Sequence, residues 1–127
     1  MLDPIVQRLV EQAIDTPVKL HLLLMFHENP RMEATPAAIA DRVCRDIWSV
    51  GQALQELCDD GIMLRRATAN GEPVYRYRPK DELVAAIERL VRGYDDPLER
   101  DQLQRLIRDL ADYAAYRRAN IWDVHVA

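Results

Sequence analysis

Glycine and cysteine are scarce in this chain, and their scarcity removes several kinds of chemistry. Four glycines among 127 residues leave little room for a loop that cradles phosphates, and neither HExxH nor GxSxG occurs. The two cysteines, Cys44 and Cys58, supply no disulfide framework, and their wide spacing provides no thiolate pair of the kind that soft metals require. Reduced thiols in a cytoplasmic protein are the expectation. Long apolar runs are missing as well. The longest, Leu22–Phe26, is far too short to span a bilayer. The start of the chain, with Asp3 and Pro4, lacks the basic stretch of a signal peptide. A basic excess is absent too, because the net charge is −4, which is not what a nucleic-acid binder advertises. No enzyme, metal site, cofactor or membrane association is expected from these counts.

What is present is apolar periodicity. Hydrophobic residues at 49% suffice for one ordinary core in a chain of this length. Residues 3–14 predict an amphipathic helix with Asp3 as N-cap, Pro4 at its first position and Ile5, Val6, Leu9, Val10 and Ala13 on one face. Residues 18–28 are apolar on nearly every side, and a helix without a polar face belongs inside a core. His21 and His27 flank that helix and have no partner motif that would make them ligands. A helix is also predicted from Lys80-Asp81 to about Tyr94, and another from Leu98 to about Asn120. The stripes of the first and last helices need a covering surface. A second copy of the chain across a two-fold axis is the preferred one, and mutual packing within one chain is the alternative.

The stretch from Thr35 to Pro79 carries the organisation. Thr35 caps a short helix with Pro36 at its first position, and a second helix starts near Asp46 and stops at Gly61. Ile47, Val50, Leu54, Leu57 and Cys58 form the buried stripe of that second helix. Trp48, Ser49, Gln52 and Gln55 lie on its other faces. Two β-rich runs follow around Asn70-Gly71, a strong hairpin signal. A two-residue loop there would set Arg65 opposite Arg76 and Leu64 opposite Tyr77, giving a core face of Ile62, Leu64, Tyr75 and Tyr77 and an outer face of Arg65, Arg76 and Arg78. The segment Gly61–Arg78 holds four arginines against Glu72 alone. Its basic face is a candidate for a phosphate backbone, or simply a solvated surface. Against the first reading, Thr35–Asp60 carries two arginines and five carboxylates.

Helix, turn, helix and hairpin in that order resemble a winged helix. The pattern Ile39-Ala40, then Val50-x3-Leu54-x2-Leu57-x3-Gly61-Ile62-Met63, then Val74-Tyr75-Arg76-Tyr77 is similar to the bacterial winged-helix regulators around the ArsR and MarR families. It covers about a third of the chain, and the acidic-and-arginine wing signature of MarR proteins is missing. The expected class is mainly α with a small β-hairpin: a winged helix-turn-helix over residues 17–80, a flanking helix over 1–16 and a helical dimerisation extension over 81–127. The resemblance implies a homodimeric regulator on double-stranded DNA, and a small-molecule effector is left open. Trp48, Ser49, Gln52 and Gln55 would meet base edges, and Arg65, Arg76 and Arg78 the backbone. Trp48 could instead be a wedge between bases or pack on a neighbouring helix. The alternative function is a winged-helix module that binds another protein.

Overall fold

The computed structural model describes residues 2–113 and contains six helices and a three-stranded sheet. They follow in the order α1 (Pro4–Gln12), α2 (Pro17–Glu28), β1 (Glu33–Ala34), α3 (Pro36–Val43), α4 (Ile47–Asp59), β2 (Met63–Arg66), β3 (Val74–Tyr77), α5 (Asp81–Tyr94) and α6 (Pro97–Ala111). Four of these helices open on one local device, an Asp or Thr cap followed by proline. Asp3, Thr16, Thr35 and Asp96 each accept an N–H of the first turn, and the proline stands where its missing N–H costs nothing. The last helix expected from the sequence ends at Ala111, and its continuation toward Asn120 lies outside the described residues.

α4 ends on a Schellman arrangement. Gly61 takes φ +84, the N–H of Ile62 bonds the Leu57 carbonyl at 2.9 Å, and the N–H of Gly61 bonds that of Cys58 at 3.1 Å. α3 ends the same way without glycine. Cys44 stands at φ 56 while Arg45 N–H reaches the Ala40 carbonyl. That left-handed cap turns the chain sharply, so only Cys44, Arg45 and Asp46 separate α3 from α4.

α2 runs through the middle, as its apolar composition requires. Leu22, Leu23 and Phe26 are buried in one cluster with Val50, Leu54 and Leu57 of α4 and with Ile62, Met63 and Tyr75. One residue breaks the apolar pattern. Lys19 is 1% exposed, with its Nζ 2.7 Å from Asp15 and 2.5 Å from Glu56. A buried ammonium persists only with such partners, and this pair ties the start of α2 to the side of α4.

The stripe of the first helix does not wait for a second molecule. Val6, Leu9 and Val10 are buried within the chain, where α1 lies on α5 and α6. Leu103 and Ile107 of α6 join the same core. Arg89 of α5 clamps this corner, with two hydrogen bonds to Glu99 of α6 and an ion pair to Asp3 at the head of α1. Mutual packing within one chain therefore covers most of both stripes, while Ile5 and Tyr113 stay 47% and 62% exposed. No described helix is long and apolar enough to cross a membrane.

Candidate nucleic-acid interface

Two features of the Thr35–Pro79 segment set the geometry: the leading end of α4 and the β2–β3 hairpin. Asp46 caps α4, accepting the Ser49 N–H at 2.8 Å, and that bond holds its carboxyl below the usual range. Val50, Ala53, Leu54 and Leu57 face the core. Ile47, expected on that stripe, is 45% exposed instead, because the core ends one turn short of the start of the helix. Trp48 is 85% exposed and packs on no neighbouring helix among the described residues. Ser49, Gln52 and Gln55 are exposed as well. The side-chain amides of the two glutamines each donate along the helix, Gln52 to Glu56 at 3.1 Å and Gln55 to Asp59 at 3.2 Å. The leading end of this helix is thus open, polar on one side and apolar at its tip.

The hairpin differs from the expected register. Gly71 N–H bonds the Thr68 carbonyl at 3.0 Å with Gly71 at φ +81, and the Thr68 hydroxyl bonds the Glu72 carbonyl. A turn of this kind uses one residue more than the two-residue Asn70-Gly71 loop. The partners become Met63–Tyr77, Leu64–Arg76, Arg65–Tyr75 and Arg66–Val74. A one-residue slip changes which side chains share a face. Met63 therefore takes the core position expected for Leu64, and Leu64 is 47% exposed. The expected face of Arg65, Arg76 and Arg78 does not form. Arg65 shares its side of the ribbon with Met63, Tyr75 and Tyr77, while Arg66 joins Arg76 on the outer side.

That outer side holds a carboxylate that no sequence pattern announces. β1, only two residues long, pairs antiparallel with β3 and sets Glu33 opposite Arg76. Glu33 lies 2.7 Å from Arg66 and 3.7 Å from Arg76. The hydrogen bond from Arg66 is the main reason its carboxyl titrates below the ordinary range. Two of the four wing arginines are thus engaged inside the molecule. Among the described residues, Arg65 and Arg78 form no ion pair.

A cavity of about 460 Å³ lies between α2, α6 and the turn joining α3 to α4. Its floor is apolar (Leu20, Leu24, Ile107), and Arg45, Arg108 and His21 stand at its edge. Burial, then the charge of Arg45, pushes the His21 imidazole down. His27 packs edge-on against Tyr77. No group of potential metal ligands occurs among the described residues. Cys44 is exposed, and Cys58 is half-buried with its thiol pushed up by that burial.

No protein-family model matches the sequence, and no curated protein matches it either. Solved structures do. Apo wild-type MarR from Escherichia coli superposes with a TM-score of 0.55 at 14% identity, over 94% of this chain and 86% of that one. A protein described as a possible transcriptional regulator from Methanosarcina mazei gives 0.53 at 18% identity, over 78% and 87%. A mutant of Lactococcus lactis ZitR gives 0.52 at 15% identity, over 87% and 73%. The fold is a winged helix of the MarR kind. In it α3 and α4 are the helix-turn-helix, β2–β3 is the wing, and α1, α5 and α6 form the flanking helical layer.

Proposed function

We propose that this winged helix is a DNA-binding transcriptional regulator that works as a homodimer. The observation that carries the reading is the free leading end of α4, where Trp48 is 85% exposed beside a wing rich in arginine. In helix-turn-helix proteins that end of the second helix enters the major groove. Residues 17–80 form the reading unit, with Trp48, Ser49, Gln52 and Gln55 at base edges; Arg65 and Arg78, which form no ion pair among the described residues, meet the backbone from the two sides of the ribbon, and Arg76 joins them only by leaving Glu33. The description of the Methanosarcina mazei neighbour as a possible transcriptional regulator supports the same reading. Leu98 at the start of α6 and Tyr113 just past its end, 75% and 62% exposed, are the apolar groups offered to a second copy. The 460 Å³ cavity suits an effector with an apolar body and a negative end.

A salt titration of binding to duplex DNA from the gene's own upstream region tests the reading. Binding should weaken with a log–log slope of about −0.9 for each phosphate neutralised. The same surface supports a second reading, a module that binds another protein, because Ile47, Trp48 and Leu64 are all apolar and exposed. That module would bind with little salt dependence and lose most from Trp48→Ala.

A further inference from the structure

One residue of α4 has no use within the chain. Gly51 stands in the interior of the helix, where glycine is the poorest former after proline. A Cβ placed there would meet nothing within 4 Å among the described residues, so no close approach inside the molecule calls for it. A glycine that folding does not require is the choice wherever another surface must come close to the backbone. Trp48 lies one turn before it and Gln55 one turn after, with Gln52 beside it, and these three side chains are exposed. The open stripe of α4 therefore runs ring, gap, amide, amide. From Ile47 to Asp59 the helix carries no lysine, arginine or histidine.

Each base pair shows its own pattern in the major groove. Guanine shows two acceptors there, which arginine or lysine meets best, and α4 supplies neither. Adenine shows one acceptor and one donor, the pair that a glutamine amide matches, and thymine adds a methyl group. Gln52 and Gln55 face the carboxylates of Glu56 and Asp59, which only accept, so each amide turns its nitrogen toward them. Its second N–H and its oxygen are left for a partner. The missing Cβ at Gly51 leaves room for one methyl group beside the apolar ring of Trp48. We propose that α4 selects A·T pairs, with a thymine methyl seated over Gly51 against Trp48 and the adenine edge held by Gln52. This assignment rests on the DNA-binding reading and adds to it which bases are read and why Gly51 is glycine.

The test selects duplexes from a random pool with the full chain, then measures fluorescence anisotropy on the selected duplex. Thymines are replaced one at a time by deoxyuridine, which removes only the methyl. A·T pairs should dominate the selected core. At one or more positions deoxyuridine should weaken wild-type binding about fourfold, the worth of one buried methyl group, and should change nothing in Trp48→Ala. Gly51→Ala should raise the melting temperature by a few degrees, since alanine is the better helix former. The same change should weaken binding to the thymine duplex by about fourfold or more, and by less on the deoxyuridine duplex. A glycine with only a structural role would lower stability on substitution or leave binding alone. A core of G·C pairs, no preferred sequence, deoxyuridine tolerated at every position, or unaltered binding by Gly51→Ala would overturn the assignment while leaving DNA binding intact. An equal deoxyuridine penalty in Trp48→Ala would overturn it too, because the methyl would then act elsewhere. A wild-type chain that binds no duplex at low salt would end both readings.

Discussion

Trp48 stands in solvent at the start of α4 while every apolar residue one turn later is buried. A ring so exposed contributes little to folding, since surface substitutions away from caps and cores stay within about 0.5 kcal/mol. Trp48→Ala should therefore leave the melting temperature nearly unchanged and still weaken DNA binding by roughly tenfold or more, on the scale of a good base contact at about 1–3 kcal/mol. Thermal melts and binding curves on the same preparation check the split. Lys19 is the opposite case. It is 1% exposed and its ammonium is shared by Asp15 and Glu56. Removing one member of a buried ion pair costs about 3–5 kcal/mol, so Lys19→Met should lower the melting temperature by roughly 10–20 °C. Replacing all three residues by apolar ones of similar volume should recover much of that loss. Trp48 was legible as an oddity in the sequence, because it falls off the apolar stripe. Lys19 was not legible, because a lysine on an apolar helix is ordinarily a solvated one.

At the level of elements, helix starts were the easiest features to read. Asp3-Pro4 and Thr35-Pro36 act locally, so no tertiary information is needed to place them; Thr16-Pro17 and Asp96-Pro97 cap α2 and α6 in the same way, although the sequence reading starts those helices one residue later, at 18 and at Leu98. The hairpin was legible as a hairpin and misread in register. Asn70-Gly71 announces a turn, but whether two or three residues close it depends on the Thr68–Gly71 bond. That one residue decides which arginines share a face. β1 left no trace in the sequence pattern because two residues carry no periodicity, and Glu33 was hidden with it. Its ion pair has a pH signature. The folded-state pKa of Glu33 is depressed, chiefly by Arg66. Its stabilising effect on the wing is therefore full above the ordinary carboxylate range and lost as pH falls through the lowered value. A carboxyl-carbon NMR titration of Glu33 should show a midpoint below the ordinary one, returning upward in Arg66→Ala.

On the scale of the whole molecule, the net charge of −4 and a DNA-binding surface are compatible only if the charge is divided by region. The division is visible: acidic residues crowd the C-terminal end of α4, at Glu56, Asp59 and Asp60, while arginines occupy the wing and the loop before β1. Most of the terminal stripes is covered within the chain, so the proposed homodimer would draw on what stays exposed among the described residues, Leu98 and Tyr113 above all. Leu98→Glu should shift sedimentation from dimer toward monomer at micromolar concentration without unfolding the chain, because Leu98 contributes little to the core. Dimerisation unaffected by that change would place the interface elsewhere. The central claim is that the open end of α4 and the arginines around the wing meet a duplex. Its most direct test is the salt dependence of binding to DNA from the gene's upstream region, compared between the wild type and Arg65→Ala/Arg78→Ala. A steep wild-type slope, flattened in the double variant by about 0.9 for each phosphate it no longer neutralises, is the predicted result. Binding that ignores both salt and these arginines would contradict it.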